Sequence, residues 1–395
     1  MRNNQPPNID DYYTCLQCGY CKNVCPVYNQ LGWESATPRG KVYWLKQLSG
    51  KSLMDKILRR KIDINDAWVK RIYSCTSCAA CEEYCHVNLK LADLWEDVKE
   101  WMLNDGVKPL APHKMLYDRI SDPSKRNPFQ DDDNPERDLL KKRGSWLPEG
   151  IKLSRNPEVV FFAGCTSSYR LQMLAQSAAT ILDNADVKFS ILGKDEWCCG
   201  SPLLRTGQTD IIKGEYAEHN VQAIEARGVH TVVTACAGCF NTLKNNYPKI
   251  VGKLPFKVYH ISEFLEILHK RNKLKFKKEI NKTITFHDPC HLGRHGKVFD
   301  APRYIIRNIP GVKFVEMDRI RKNSRCCGAG GGFKIAFNDI AEDIAVDRVK
   351  EAQATGAELI VTPCPFCVVN LNAGAKKGNI PLKSMDLLQF VTQAI

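Results

Sequence analysis

The chain has 395 residues, 44% hydrophobic and 26% charged, with 18 cysteines and a formal charge of +13. That length suits two or three domains with real cores. The longest apolar runs, such as Val159–Ala163, are far too short to span a bilayer, and the start Met1–Pro7 has no apolar leader segment. Eighteen cysteines in regular spacings, in a chain this long, point to a reducing, cytoplasmic compartment and to metal-binding thiols rather than a disulfide scaffold.

The first hundred residues carry two matching runs. Cys15-x2-Cys18-x2-Cys21-x3-Cys25, followed by Pro26, has the bacterial ferredoxin spacing, and Cys75-x2-Cys78-x2-Cys81-x3-Cys85 repeats it with His86 in place of proline. In such runs three thiolates wrap one cubane and the fourth cysteine reaches the other cluster. Cluster I is therefore assigned to Cys15, Cys18, Cys21 and Cys85, and cluster II to Cys75, Cys78, Cys81 and Cys25. A pair of zinc knuckles is the plainer alternative; two complete four-cysteine runs tell against it. The 49 residues between the runs read as largely helical: Val42, Leu45, Leu48 and then Leu53, Ile57, Leu58 recur at spacings of three and four. Leu91, Leu94, Val98 and Met102 do the same after the second run. Clusters held between helices resemble the helical ferredoxin domain of fumarate-reductase iron–sulfur subunits. The stretch Glu34–Lys41 fits that resemblance, and locally it reads as a helix start with proline in the first turn.

The helical ferredoxin domain so defined covers residues 1–105. From 106 to 157 periodicity fades, prolines are scattered, and Asp131–Pro135 forms a polar turn cluster, so this part is expected to be an ordered but irregular connector without visible chemistry.

The remaining chain is duplicated. Cys165, Cys198-Cys199 and Cys236-x2-Cys239 are echoed by Cys290, Cys326-Cys327 and Cys364-x2-Cys367; Cys199 to Cys327 and Cys236 to Cys364 are both offsets of 128 positions. Short β-rich runs precede the cysteines: Val159–Ala163, Thr231–Thr234, Thr283–Phe286 and Leu359–Thr362. Helical stretches at 171–182, 211–226 and 340–354 lie between them. This alternation predicts two tandem α/β modules with parallel sheets, at 158–275 and 276–395, in an α+β multidomain chain. Five thiols then gather beyond the strand ends of each module. Five is one more than a zinc or a regular cubane takes, which leaves a cluster of unusual shape, a spare redox thiol, or small zinc sites. The glycines of Gly328–Gly332 lack the context of a phosphate loop. They read as a turn, or as room for amides to reach cluster sulfurs.

The paired Cys–Cys-Cys–Cys-x2-Cys patterns, with Gly193–Ser201, Ala235–Phe240 and His287–His295, resemble the CCG domains of the heterodisulfide reductase family. A double ferredoxin run ahead of two such domains is similar to the catalytic subunits of that family over nearly the whole chain. The resemblance implies a noncubane [4Fe–4S] cluster on each five-cysteine set: Cys165, Cys198, Cys199, Cys236 and Cys239 in one, Cys290, Cys326, Cys327, Cys364 and Cys367 in the other. Two cubane clusters would feed them, four [4Fe–4S] clusters in all. It implies cleavage of the coenzyme M–coenzyme B heterodisulfide between the two noncubane clusters. It also implies electrons from a membrane cytochrome b subunit, a soluble flavoprotein or a ferredoxin, and association with the membrane only through that partner. Thiolates and cluster charge would bring the net charge to roughly +3, so no nucleic acid is expected as a partner. His291, beside Cys290, is the candidate proton donor. Arg205, Arg294 and Lys334 are candidates to meet the acidic groups of the substrate. The alternative is an electron-transfer subunit serving a flavin-dependent glycolate, lactate or glycerol-3-phosphate dehydrogenase, whose relatives share parts of this layout.

Overall fold

The computed structural model describes residues 6–49, 64–130 and 140–395. The helical pattern expected at Leu53, Ile57 and Leu58, and the polar turn at Asp131–Pro135, lie outside the described residues.

The N-terminal part is helical. Helices Pro38–Leu48, Asp66–Tyr73 and Leu91–Asn104 turn their apolar stripes onto one core built from Val42, Leu45, Ile72, Leu94, Trp95 and Val98. Thr37 starts the first of them, its hydroxyl accepting the Gly40 amide at 3.0 Å, with Pro38 in the first turn. Asn65 caps the second by accepting from the Trp68 amide at 3.1 Å.

The connector is less irregular than expected: Ala111–Ser121 is a helix entered through Pro112. Its buried face is His113, Leu116 and Ile120, a spacing of three and four in which a histidine takes one apolar position and weakens the signal.

Each module is a four-stranded parallel sheet. In the first, β1 (Val159–Phe162), β2 (Phe189–Ile191), β3 (Thr231–Thr234) and β4 (Lys257–His260) lie in the order β2-β1-β3-β4. In the second, β5 (Thr283–Phe286), β6 (Lys313–Val315), β7 (Leu359–Thr362) and β8 (Lys383–Asp386) lie in the order β6-β5-β7-β8. The registers correspond, with Val160 opposite Val232 in one sheet and Ile284 opposite Leu359 in the other. Of the central strands β1 is a continuous apolar run and β7 departs from one only at its last residue, Thr362; both are buried throughout, as strands covered on both faces are. In both sheets the strand order reverses between the two central strands. That reversal opens a crevice at their carboxyl ends, and Cys165, Cys236, Cys290 and Cys364 follow those ends directly.

The two modules meet through equivalent surfaces. Helix Gln172–Asn184 of the first packs on Leu387–Thr392 of the second, and Ile261–Lys270 of the first on Asp300–Asn308 of the second. Each pairing joins the early helix of one module to the closing helix of the other, which is the pattern of a two-fold interface formed within one chain. Phe161, Leu182, Leu265, Ile284, Ile305 and Phe390 make it one continuous core. Among the described residues no helix is long and apolar enough to cross a membrane.

Candidate iron–sulfur centres

Cys15, Cys18, Cys21 and Cys85 line one pocket, and Cys25, Cys75, Cys78 and Cys81 line a second. Each set takes three cysteines from one run and the last cysteine from the other. Backbone amides already point at sulfur: Ser77 N–H donates to Cys75 Sγ at 3.4 Å and Leu89 N–H to Cys85 Sγ at 3.4 Å. Burial pushes the Cys21 thiol up to about 11 and the Cys25 thiol up to about 12. In these positions thiolates need a metal centre to hold them ionised. Cys18 is exposed whereas Cys78 is buried, so the first set faces solvent and the second faces the modules.

The ten module cysteines form one continuous series of neighbouring thiols. In the first module it runs from Cys165 through Cys198, Cys199 and Cys239 to Cys236. Cys236 meets Cys364 across the two-fold interface, and from there the series passes Cys367, Cys327 and Cys326 to Cys290. Cys367 and Cys327 Sγ are 3.3 Å apart. Cys326 also neighbours Cys78 of the ferredoxin half. The repeat extends to backbone detail: Gly200 N–H donates to Cys198 Sγ at 3.5 Å, and Gly328 N–H to Cys326 Sγ at 3.3 Å.

Whether these residues suit iron–sulfur clusters is tested by the cations buried beside them. Lys41 Nζ donates to Ser74 O at 2.8 Å, Lys99 Nζ to Arg205 O at 2.8 Å, and Arg294 Nε to Cys78 O at 2.6 Å. All three side chains are almost wholly buried. Among the described residues none of the three has a carboxylate at ion-pair distance. Uncompensated buried cations cost several kcal/mol each. Clusters held by thiolates carry the compensating negative charge, and the cations surround the junction where two cysteine sets meet. The residues fit the group.

Several residues at the site have no role assigned from the motifs: Arg143 lies outside all of them, while Glu196 and His287 lie within stretches that carry the resemblance. Arg143, from the connector, donates from Nη1 to Cys165 Sγ at 3.5 Å and is paired with Glu196 at 2.5 Å. Glu196 also accepts the Ala163 and Gly164 amides at 3.0 and 2.8 Å, tying the connector to the turn that carries Cys165. The connector 106–157, in which the sequence shows no visible chemistry, thus supplies a contact to Cys165; a lone arginine 22 positions before its cysteine leaves no spacing signal. His287, at the end of β5, has a ring nitrogen within 4.8 Å of the sulfurs of Cys327 and Cys367.

The proposed substrate residues lie in different places. His291 reaches across to the first module, its Nδ1 3.9 Å from where a Cβ on Gly238 would sit, between Cys236 and Cys239. Burial, then His295 and Arg205, hold its imidazole well below the usual range. Arg205 is buried, paired with Glu96, and donates to Asn246 Oδ1 at 2.7 Å. Arg294 donates to Ser324 O at 2.6 Å as well as to Cys78 O. Lys334 lies apart from these, its ammonium 2.8 Å from Asn338 Oδ1 and 3.3 Å from Glu342 Oε1. Of the glycines after Cys327, Gly328 meets a sulfur. Gly330 and Gly331 serve a different purpose, since a Cβ on either would stand 2.7 Å from the Thr76 or Cys75 carbonyl oxygen.

Fold and thiol sets together define an iron–sulfur oxidoreductase in which a two-run ferredoxin unit is joined to paired cysteine-rich modules. The family model described as "Cysteine-rich domain" matches residues 159–244 and 284–372, and that described as "4Fe-4S dicluster domain" matches residues 11–89. The chain is 40% identical over 391 residues to the D-type subunit of dihydromethanophenazine:CoB–CoM heterodisulfide reductase of Methanosarcina mazei, covering 97% of this chain and 93% of that one. It is 30% identical to the B-type subunit of fumarate reductase (CoM/CoB) of Methanothermobacter marburgensis, covering 96% and 72%. A crystal structure of a hypothetical protein from Helicobacter pylori shares the fold, with a TM-score of 0.59 at 11% identity, over 95% of this chain and 70% of that one. The chain belongs to the family of D-type heterodisulfide reductase subunits, a family of oxidoreductases.

Proposed function

We propose that this protein reduces the coenzyme M–coenzyme B heterodisulfide to its two thiols. Two noncubane [4Fe–4S] clusters would sit on the five-cysteine sets, and two cubane clusters on the ferredoxin sets assigned above would feed them. The observation that carries this reading is the meeting of Cys236 and Cys364 across the two-fold interface, which turns the two thiol sets toward each other. Cleaving one disulfide takes two electrons and two protons; clusters bound there would supply the electrons singly and an iron for each sulfur. The chain's task is to hold two such centres on either side of one substrate, and the duplication does that.

His291 is the proposed proton donor. Its neutral imidazole lies beside both sets; negative charge on a departing thiolate would oppose Arg205 and burial, so that the ring takes up a proton from solvent and passes it to that thiolate. Arg205 and Arg294 are proposed to attract the substrate's sulfonate, phosphate and carboxylate, each keeping one guanidinium nitrogen without a hydrogen-bond partner among the described residues. Lys334 is proposed as an outer contact. The electron donor, a membrane cytochrome b subunit or another redox protein, is proposed to act at the exposed Cys18 end, with the chain on the cytoplasmic side and held at the membrane by that partner. The relative in Methanosarcina mazei is named as one subunit of its enzyme, in keeping with a separate donor.

The test is spectroscopic. Oxidising the reconstituted protein with coenzyme M thiol is expected to trap a paramagnetic cluster whose resonance broadens when the thiol carries sulfur-33. A spectrum indifferent to the thiol would leave the electron-transfer subunit of a flavin-dependent dehydrogenase as the better reading.

A further inference from the structure

The duplicated modules are matched in backbone and unmatched in charge. Four residues after its first cysteine, the first module has Tyr169 and the second Arg294; two residues before the paired cysteines, the first has Glu196 and the second Ser324. In the first module the guanidinium of Arg143 approaches Cys165, but Glu196 lies against it, so the pair brings no net charge. In the second, the carboxylate is gone and Ser324 offers only its carbonyl to Arg294. Asp288, the carboxylate whose field reaches Arg294, is already held in both oxygens by Arg303 at 2.7 and 2.8 Å. Arg348 faces Glu351 at 2.9 Å. Arg294 is thus a buried cation with no carboxylate partner among the described residues, facing Cys78, Cys290 and Cys326.

A second difference acts in the same direction. Where β1 is followed by Ala163, β5 is followed by His287. Arg348 Nε donates to its Nδ1 at 3.2 Å, which places the ring proton on Nε2, a nitrogen with no other partner among the described residues. The ring lies against Cys327 and Cys367. A fixed positive charge and an N–H beside sulfur both favour the more negative, reduced form of an iron–sulfur cluster.

Resting on the reading that each five-cysteine set holds one cluster, we infer that the second module holds its cluster at a higher reduction potential than the first, with Arg294 and His287 as the positioning residues. The first electron to arrive therefore settles in the second module, next to Cys78, and the first module fills only when a second electron follows. The two halves of the repeat become an ordered pair rather than equals.

The measurement is an anaerobic redox titration of the fully loaded protein with dithionite and mediators, followed by electron paramagnetic resonance. Cys198→Ser and Cys327→Ser assign the signals to their modules. Arg294→Gln is expected to shift the one-electron reduction equilibrium of the second-module cluster about tenfold toward the oxidised form, about 59 mV. Arg294→Lys, which keeps the charge, should shift it much less, and His287→Phe should move it the same way as Arg294→Gln. Glu196→Gln should raise the first-module midpoint and leave the second in place, a readout that a merely structural role would not produce. It also keeps the inference exposed if Arg294→Gln fails to assemble. Equal midpoints in the wild type, or a Glu196→Gln midpoint that stays put, overturn the inference while the cluster reading stands. A wild type without module signals overturns both.

Discussion

Asp386 caps the last helix, its Oδ1 accepting the Leu388 amide at 2.9 Å, while burial pushes its carboxyl up to about 8. In the unfolded chain the same group ionises near pH 3.9. Above that value the unfolded state gives up its proton while the folded state keeps it. The stability tied to the neutral acid is therefore complete below about pH 4 and declines as pH rises toward about 8. Asp386→Asn retains a capping oxygen and removes the titration. Its thermal midpoint, measured anaerobically on the loaded protein, is expected to fall less between about pH 5 and about pH 8 than that of the wild type. Equal slopes would show that Asp386 does not titrate in this range. The cysteines make a sharper prediction. Cys198 and Cys327 lie in different modules, yet each belongs to the single series of thiols that meets at Cys236 and Cys364. Either serine variant is expected to lose disulfide reduction to background with reduced viologen as donor and to retain both ferredoxin signals. Near-normal turnover in either would dismiss the idea that one substrate needs both modules.

At the scale of elements, the glycine-rich turn after Cys327 shows how one half of a repeat adapts to a neighbour. The first module runs straight from Gly200 into helix Ser201–Thr206, whereas the second opens into Gly330–Gly332 and admits the Cys75–Ser77 backbone. Gly331 has φ +66° and no space for a Cβ, while Gly356 has φ +72° and nothing within 4 Å of that position. An L side chain at either position meets the left-handed cost, about 1–2 kcal/mol, but only one also forces two parts of the chain apart. Gly331→Ala is thus expected to destabilise more than Gly356→Ala and to slow electron passage from ferredoxin clusters to modules in rapid-mixing experiments. Equal losses of stability and unchanged transfer would show that this contact is dispensable. Other elements differ in how openly the sequence announces them. β1, β3, β5 and β7 are central and mostly β-branched or aromatic, buried but for the first residues of β3 and β5, while β2, β4, β6 and β8 lie at sheet edges and β4, β6 and β8 open on exposed lysines, so their patterns are faint.

For the whole molecule, the order of the thiols along one path gives the architecture its purpose. The exposed Cys18 set lies at one end, the buried Cys78 set touches Cys326, and the second module touches the first at Cys364 and Cys236. On the proposed function, such a path would accept electrons singly and deliver them as a pair. If all eighteen cysteines serve four clusters of four irons, anaerobic reconstitution is expected to yield about sixteen irons per chain. Stoichiometric zinc with about eight irons would leave only the ferredoxin half standing.

Sequence alone determined the two ferredoxin runs, the duplication and the central strands, because cysteine spacing and apolar runs are local patterns that survive without knowledge of contacts. It also carried the family resemblance, since the motifs and their order span nearly the whole chain. Tertiary structure alone decided which module's thiol set lies beside the ferredoxin cysteines, that the modules pair about a two-fold axis, and that Arg143, Glu196, His287 and Arg294 dress the two thiol sets differently. Those facts depend on residues far apart in the chain, such as Arg294 and Cys78 at a separation of 216 positions. A single buried charge has no periodicity to betray it. Its meaning comes from the counter-charge that packing does or does not place beside it.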